Sequence, residues 1–215
     1  MPIIERAIEL AAEWHDQTYR KGRWRPPAFE TPADLQVPTM AHVTCVAATV
    51  ARAGWPDTII AAAYLHDALE DRNAQKAMLD ERVIEEEVGV AVTELVLTVS
   101  ENASQEVSKR SDWRTRKQAY LSQIIDGKAG AVAISLADKI HNLWTINQNI
   151  EAGIDPFETT DTRKGLSAGP ESQLWFHTEV LQASREFDDL RLQAMRSQLY
   201  EEITRFELLV GVTYE

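Results

Sequence analysis

Seven consecutive residues carry the pattern that decides the fold: Leu65-His66-Asp67-Ala68-Leu69-Glu70-Asp71. They close an alanine-rich segment opened by Pro56 and Asp57, residue types that are favoured where a helix begins. A helix of 3.6 residues per turn that continues to Asp71 would present His66, Asp67, Glu70 and Asp71 on one side. An imidazole and three carboxylates are costly to bury unpaired, and a divalent first-row cation would balance their charge. The alternative is a solvated acidic helix face with one stray histidine.

Two other segments offer groups of the same kind. His42 opens a helix directly after a proline-rich stretch, where a ligand can be aimed inward. Asp138 and Asn142 lie one turn apart in an apolar segment, so both face the same way if that segment is helical. Each residue alone also fits an ordinary structural role, but the order His…His-Asp…Asp on three helices predicts a metal site.

Hydrophobic periodicity elsewhere is almost entirely that of amphipathic helices, which predicts an all-α fold. Residues 21–38 contain four prolines and no periodicity, so we expect a long irregular loop there, and we expect a second irregular connection over residues 151–170. Gly127 is expected to end a helix in the left-handed conformation. The predicted helices cover about 3–20, 39–53, 56–71, 80–100 with a break at Gly89, 111–125, 129–150, and 171–209 with interruptions.

Composition narrows the class of protein. The chain has 215 residues, 44% of them hydrophobic and 26% charged, which is typical of a globular protein, and no apolar run approaches the roughly 20 residues that span a bilayer. A formal net charge of −12 disfavours a nucleic-acid partner, because phosphate contacts need clustered basic residues. One cysteine, Cys45, excludes an internal disulfide and is expected to be buried. We therefore expect a cytoplasmic protein with a small-molecule partner and no membrane contact.

With these motifs in place, the chain resembles the HD superfamily. The residues that carry the resemblance are His42, His66-Asp67, Glu70-Asp71, the run from Leu136 to Asn142, and His15-x-Gln17-x-x-Arg20-Lys21. Together they are similar to the hydrolase domain of RelA/SpoT-type alarmone enzymes and of stand-alone small alarmone hydrolases. The similarity spans roughly residues 3–150 and is faint beyond them.

The resemblance implies an all-helical bundle and Mn²⁺-dependent removal of the 3′-pyrophosphate from (p)ppGpp, although another divalent first-row metal remains an option. It implies these roles: metal binding by His42, His66, Asp67 and Asp138; catalysis by Glu70, Asp71 and Asn142; substrate binding by Arg20, Lys21 and Lys139. Glu70 and Asp71 would activate the attacking water, and Arg20 would pack on the purine. We expect residues 1–150 to form the catalytic core and residues 151–215 to be a helical part packed on the same domain.

The sequence departs from the family near its loops. Met40-Ala41-His42-Val43 replaces the usual approach to the first histidine, and Arg23, Trp24 and Arg25 in the longer loop could alter base recognition. The basic cluster of Lys109-Arg110, Arg114 and Arg116-Lys117 could receive outer phosphates or be a solvated face. Trp175-Phe176-His177 reads equally well as helix packing or as a substrate wall.

Two histidines are not assigned to the site. His15 is expected to pack, and His141 should point about 100° away from Asn142 on a helix. The alternatives to alarmone hydrolysis are an HD phosphohydrolase acting on (p)ppApp, NADPH or another nucleotide, and a catalytically idle regulatory or antitoxin-like binding protein.

Overall fold

The structure is a computed structural model, and it describes residues 2–25, 35–101, 112–161 and 164–213. Within these ranges the chain forms nine α-helices and one two-stranded antiparallel sheet. The helices are α1 (Pro2–Trp14), α2 (Thr39–Arg52), α3 (Asp57–Leu65), α4 (Glu81–Val88), α5 (Val90–Val99), α6 (Trp113–Ile125), α7 (Ala129–Glu151), α8 (Pro170–Ser184) and α9 (Arg191–Val210), and the strands are β1 (Tyr19–Arg25) and β2 (Leu35–Pro38). This confirms the all-α fold class. No helix among the described residues is long and apolar enough to cross a membrane.

Two predicted helices end earlier than expected. The first stops at Trp14, because residues 15–17 turn and the chain then enters β1. The third stops at Leu65, and the segment from His66 to Glu70 forms successive turns instead. In those turns the amide of Glu70 donates to the carbonyl of Asp67 three residues back, whereas the amide of Asp71 donates four residues back to the same oxygen. The segment that carries the acidic residues is therefore not a regular continuation of α3.

The expectation of an irregular loop over residues 21–38 is wrong at both ends of that segment. β1 and β2 pair antiparallel, with Tyr19 opposite Pro38 and Trp24 opposite Gln36, and the register is irregular between these pairs. The strands were not visible in the sequence because β1 is mostly basic and glycine-containing and lacks an apolar alternation. The hairpin brings Arg20 back to the start of α2.

Two further residues behave differently from the prediction. Gly127 has no positive φ, but a Cβ atom there would lie 2.9 Å from a methyl group of Thr98, so close packing accounts for the glycine. Cys45 is exposed rather than buried. It lies on the opposite face of α2 from Val43, Val46 and Ala47, which are at most 1% exposed.

Helix α7 is the centre of the fold. It packs against α2, α3, α5, α6, α8, α9 and β1. Its first three turns consist largely of alanine and branched aliphatic residues, and these are buried on every side of the helix. A helix that is apolar all round belongs in a core. Polar residues on α7 are therefore held in place by neighbours on several sides.

The C-terminal helices cover one side of α7. α9 packs on both α7 and α8, and its buried residues repeat at helical spacing: Leu192, Met195, Leu199, Ile203 and Phe206. At the far end of α7, the guanidinium of Arg205 pairs with Glu151. These contacts support the proposal that residues 151–215 fold with the rest of the chain as one domain.

Truncation of Phe206 tests that proposal. Phe206 is fully buried, so Phe206→Ala should lower the free energy of unfolding by about 3–5 kcal/mol. Urea denaturation followed by tryptophan fluorescence and by circular dichroism should give coincident transitions. Leu208→Ala, at a side chain that is 82% exposed, is the control and should change stability by less than about 0.5 kcal/mol. Two separated transitions in the parent protein would contradict a single domain.

Candidate active site

Four side chains from three parts of the fold meet at one point. His42 comes from the first turn of α2, His66 and Asp67 from the turn after α3, and Asp138 from the middle of α7. The Nε2 atom of His42 lies 3.1 Å from Oδ1 of Asp138, 3.3 Å from Nε2 of His66 and 3.4 Å from Oδ2 of Asp67. Ligand atoms of His42, His66 and Asp67 all lie within 4.8 Å of one another, which makes them a group that could hold a metal ion.

The nitrogen atoms that face this point have lone pairs to offer. Nδ1 of His66 lies 2.8 Å from the carbonyl oxygen of Ala63. Because a carbonyl only accepts, Nδ1 of His66 carries a proton, and in the neutral form of His66 the lone pair of Nε2 faces the cluster. Donors that share a first-row ion at about 2.1 Å lie roughly 3 Å apart, which is close to the spacing found here.

Asp138 has partners on both carboxylate oxygens. Its Oδ1 accepts from Nδ2 of Asn142 at 2.6 Å, in addition to its contact with His42, and its Oδ2 pairs with the ammonium of Lys139. Burial alone would raise the pKa of Asp138, but Lys139 and the two histidines hold it well below the usual value. Asp138 is therefore an ionised carboxylate in the core of the protein.

The cluster attracts positive charge. Burial disfavours the charged form of His66, yet Asp67 and Asp138 raise its pKa to about 9. His42, fully buried and facing Arg20, has a pKa lowered to about 4. In the metal-free protein the carboxylates therefore hold a second proton on Nε2 of His66, at the nitrogen whose lone pair a metal ion would use. The donor set of two imidazoles and two carboxylates suits a divalent first-row metal.

Glu70 and Asp71 lie beside this cluster. Oε1 of Glu70 accepts from the backbone amide of Glu101 at 2.8 Å, and the carbonyl of Asp71 accepts from the indole of Trp14 at 3.0 Å. Burial, followed by the charge of Asp67, raises the pKa of Glu70 to about 8 and that of Asp71 to about 6. Carboxyl groups with raised pKa values are suited to accept and hold a proton at neutral pH.

The β-hairpin delivers Arg20 to the same place. Its guanidinium donates to Oδ1 of Asn142 and lies 3.6 Å from Oδ2 of Asp67. Three residues further along β1, Nη1 of Arg23 donates to Oδ1 of Asn149 at 2.7 Å, and its guanidinium lies 5.6 Å from the centre of the Trp144 ring. β1 is thus tied to α7 at two points. Asn142 joins Arg20 to Asp138, while the side chains of Trp24 and Arg25 lie outside the described residues.

A cleft opens next to the cluster. Its lining contains four cationic side chains, three aromatic rings and two amides: Arg20, Lys21, Lys117, Lys139, Trp113, Phe176, His177, Asn142 and Gln173. The ammonium groups of Lys117 and Lys139 lie 4.8 and 5.1 Å from the centre of the Phe176 ring. Burial and the charge of Lys139 lower the pKa of Lys117 to about 8. The cleft concentrates positive charge in a chain whose net charge is −12.

Some of these residues were not assigned from the sequence. Gln173, Phe176 and His177 share one face of α8 at positions i, i+3 and i+4, and Trp113 and Lys117 are four apart on α6. That spacing was the available signal, but it does not distinguish a cleft wall from core packing. Of the basic cluster, Lys117 lines the cleft, Arg114 lies over the ring of Trp175, and Lys109-Arg110 lie outside the described residues.

A family model described as HD domain matches residues 28–157, which is more than half of the chain. The chain belongs to the HD domain family. The match includes all four residues of the cluster, and the C-terminal helices lie beyond it. As a member of this family, the protein is a metal-dependent phosphohydrolase.

Solved structures show the same fold. A metazoan ortholog of SpoT, described as hydrolysing ppGpp with a role in starvation responses, superposes with a TM-score of 0.62 and 19% sequence identity, covering 99% of this chain and 98% of that one. The crystal structure of lmo0812 from Listeria monocytogenes EGD-e gives a TM-score of 0.58 and 22% identity over 80% of this chain and 99% of that one. No curated protein sequence matches the chain.

The raised pKa of Glu70 predicts how stability depends on pH. Glu70 has a pKa of about 8 in the folded, metal-free protein, against 4.5 for an unperturbed glutamate. The folded state therefore holds more protons between these values, and stability is lost as pH rises through them. Glu70→Gln mimics the protonated form, so its stability relative to the parent should increase steadily from pH 4.5 to 8 and then level off. Chemical denaturation in the presence of a chelator measures this difference.

Glu151→Gln is the matched control. The hydrogen bond from Arg205 lowers the pKa of Glu151, so its contribution changes only below 4.5 and its difference from the parent should be constant from pH 5 to 8. A Glu70→Gln difference that is equally constant over that range would contradict a buried, protonated Glu70.

Proposed function

We propose that the protein removes the 3′-pyrophosphate from a purine nucleotide alarmone such as (p)ppGpp, using Mn²⁺. The observation that carries this proposal is the adjacency of two features: the His42, His66, Asp67 and Asp138 cluster, and a cleft with four cationic side chains. Basic and aromatic groups together are suited to a substrate that combines several phosphates with a flat base.

His42, His66, Asp67 and Asp138 are the residues that would hold the metal. When bound, it would polarise the phosphoryl oxygens and lower the pKa of a water molecule. Lys139 lies against Asp138 and lines the cleft, so its ammonium can contact a phosphate while it balances that carboxylate. The same side chain would then serve both the ligand set and the substrate.

Glu70 and Asp71 are the proposed proton acceptors. In the reaction, the oxygen of water forms a bond to the phosphorus attached to the 3′-oxygen, and the bond between that phosphorus and the 3′-oxygen breaks. Pyrophosphate leaves, one proton of the water passes to a carboxylate, and the 3′-oxygen takes up a proton to become a hydroxyl. In the metal-free protein these pKa values are about 8 and 6; the positive charge of a bound metal would lower both, and the ionised carboxylates could then accept the proton.

Recognition of the nucleotide is assigned to the rest of the cleft. Arg20 has a planar guanidinium that can pack on a purine, and Asn142 holds it against α7. Asn142 touches both Arg20 and Asp138, so its contribution to catalysis would be to align those two side chains. Lys21 and Lys117 add positive charge for phosphates distant from the scissile bond. The metazoan SpoT ortholog supports the proposal through the similarity of its fold over its whole length.

A substrate panel tests the proposal. Purified protein with Mn²⁺ should release pyrophosphate from a guanosine or adenosine 3′-pyrophosphate, and addition of a chelator should abolish the release. Asp67→Asn should reduce turnover by at least about 100-fold, because it removes charge from the ligand set. Orthophosphate release from NADPH, with neither alarmone cleaved, would redirect the assignment to a general nucleotide phosphohydrolase. Metal binding without turnover of any nucleotide would favour a regulatory binding protein.

Lys117→Ala separates substrate binding from chemistry. The ammonium of Lys117 lies in the cleft and pairs with Glu101. We expect KM to rise about tenfold with kcat little changed, because a phosphate contact distant from the reacting bond contributes equally to ground and transition states. Arg82→Ala removes one positive charge from exposed α4 and should leave KM unchanged. An equal rise in KM in both variants would show that the net charge of the protein, rather than the cleft, is responsible for the effect.

A further inference from the structure

We infer that His141 is a positioning residue for the metal site: it accepts a hydrogen bond from His42 and thereby presents Nε2 of His42 to the ion. The inference rests on the metal site proposed above. Nδ1 of His141 lies 2.7 Å from Nδ1 of His42, and the two ring centres are 4.8 Å apart. The expectation that His141 points away from the site is thus not met by its ring nitrogen, which reaches His42 rather than Asn142.

The two nitrogens of His42 have separate surroundings. Nε2 faces Asp138, Asp67 and His66, all within 3.4 Å. Nδ1 faces His141. The ring is completely buried, so water does not compete for either position. A change in the hydrogen bond at Nδ1 therefore affects Nε2 through the imidazole ring.

The positions of the ring protons determine the direction of the hydrogen bond between His42 and His141. A neutral imidazole carries one proton, and a nitrogen that binds a metal must offer its lone pair. If Nε2 of His42 is a ligand, its proton is on Nδ1, and Nδ1 of His141 must accept it. His141 then carries its own proton on Nε2. Partners of this kind fix the tautomer and ring orientation of a ligating histidine.

The two histidine ligands obtain this support from different sources. His66 uses the backbone carbonyl of Ala63, which only accepts and cannot be removed by a side-chain substitution. His42 depends on the side chain of His141, which is half-buried and packs on Trp144 with ring centres 5.8 Å apart. Arg23 from the hairpin lies over the same tryptophan. His42 is therefore the ligand whose orientation a substitution outside the ligand set can disturb.

A pair of variants of nearly equal size tests this role. His141→Leu removes the acceptor, whereas His141→Asn keeps an oxygen near the position of Nδ1. Calorimetric titration of the chelator-treated full chain with Mn²⁺ should give a dissociation constant raised about 10- to 100-fold for His141→Leu. For His141→Asn it should stay within about threefold of the parent. Thermal unfolding of the metal-free proteins checks that both variants fold.

A spectroscopic measurement gives an independent readout. In ¹⁵N-labelled parent protein loaded with Zn²⁺, His42 should carry its proton on Nδ1, and that proton should exchange slowly with water. In His141→Leu the exchange should accelerate, and in His141→Asn it should stay slow. Equal Mn²⁺ affinity in the parent and His141→Leu, or equal weakening in both variants, would overturn the role of His141 while leaving the metal site standing. Failure of the parent itself to bind Mn²⁺ would overturn both proposals.

Discussion

The ion pair between Asp138 and Lys139 is the constraint on which the rest of the site depends. A charged carboxylate in the middle of a buried helix is tolerated only when its charge is balanced and its oxygens accept hydrogen bonds. Lys139 supplies the charge, while His42 and Asn142 supply polar contacts to the other oxygen. Because Lys139 also lines the cleft, the His42, His66, Asp67 and Asp138 cluster and the cationic cleft share one side chain. A change at either residue must alter both.

The sequence was most informative where candidate functional residues are neighbours in the chain. His66 and Asp67 are neighbours in the chain and remain neighbours in the cluster, and Gly89 separates α4 from α5 as expected. The turns after Leu65 and the basic strand β1 were not predicted, because neither depends on a hydrophobic period. Their geometry depends on what they contact: the cluster of His42, His66, Asp67 and Asp138 in one case and α7 in the other.

The cleft and His141 illustrate a second limit of sequence reasoning. Side chains about 100° apart on a helix diverge at the backbone, yet both residues reach the cluster: Asn142 contacts Asp138 one turn back on α7, and His141 contacts His42 on the neighbouring helix α2. Likewise Phe176 is counted as core by its burial but forms the surface beneath two ammonium groups. Helix packing determines which residue lies opposite another. A single amino-acid sequence does not state these packing partners.

The two ties between β1 and α7 also restrict how this protein can vary in length. From Arg20 to Arg23 the strand advances about 10 Å, and from Asn142 to Asn149 the helix advances about the same distance. An insertion or deletion between Arg20 and Arg23 would change the spacing of the two arginines relative to Asn142 and Asn149, so that only one of the two hydrogen bonds could form. Insertions or deletions between the strands, at residues 26–34, leave the spacing of both hydrogen bonds unchanged. Related chains are therefore expected to differ in the span between the strands while preserving the interval between the two arginines.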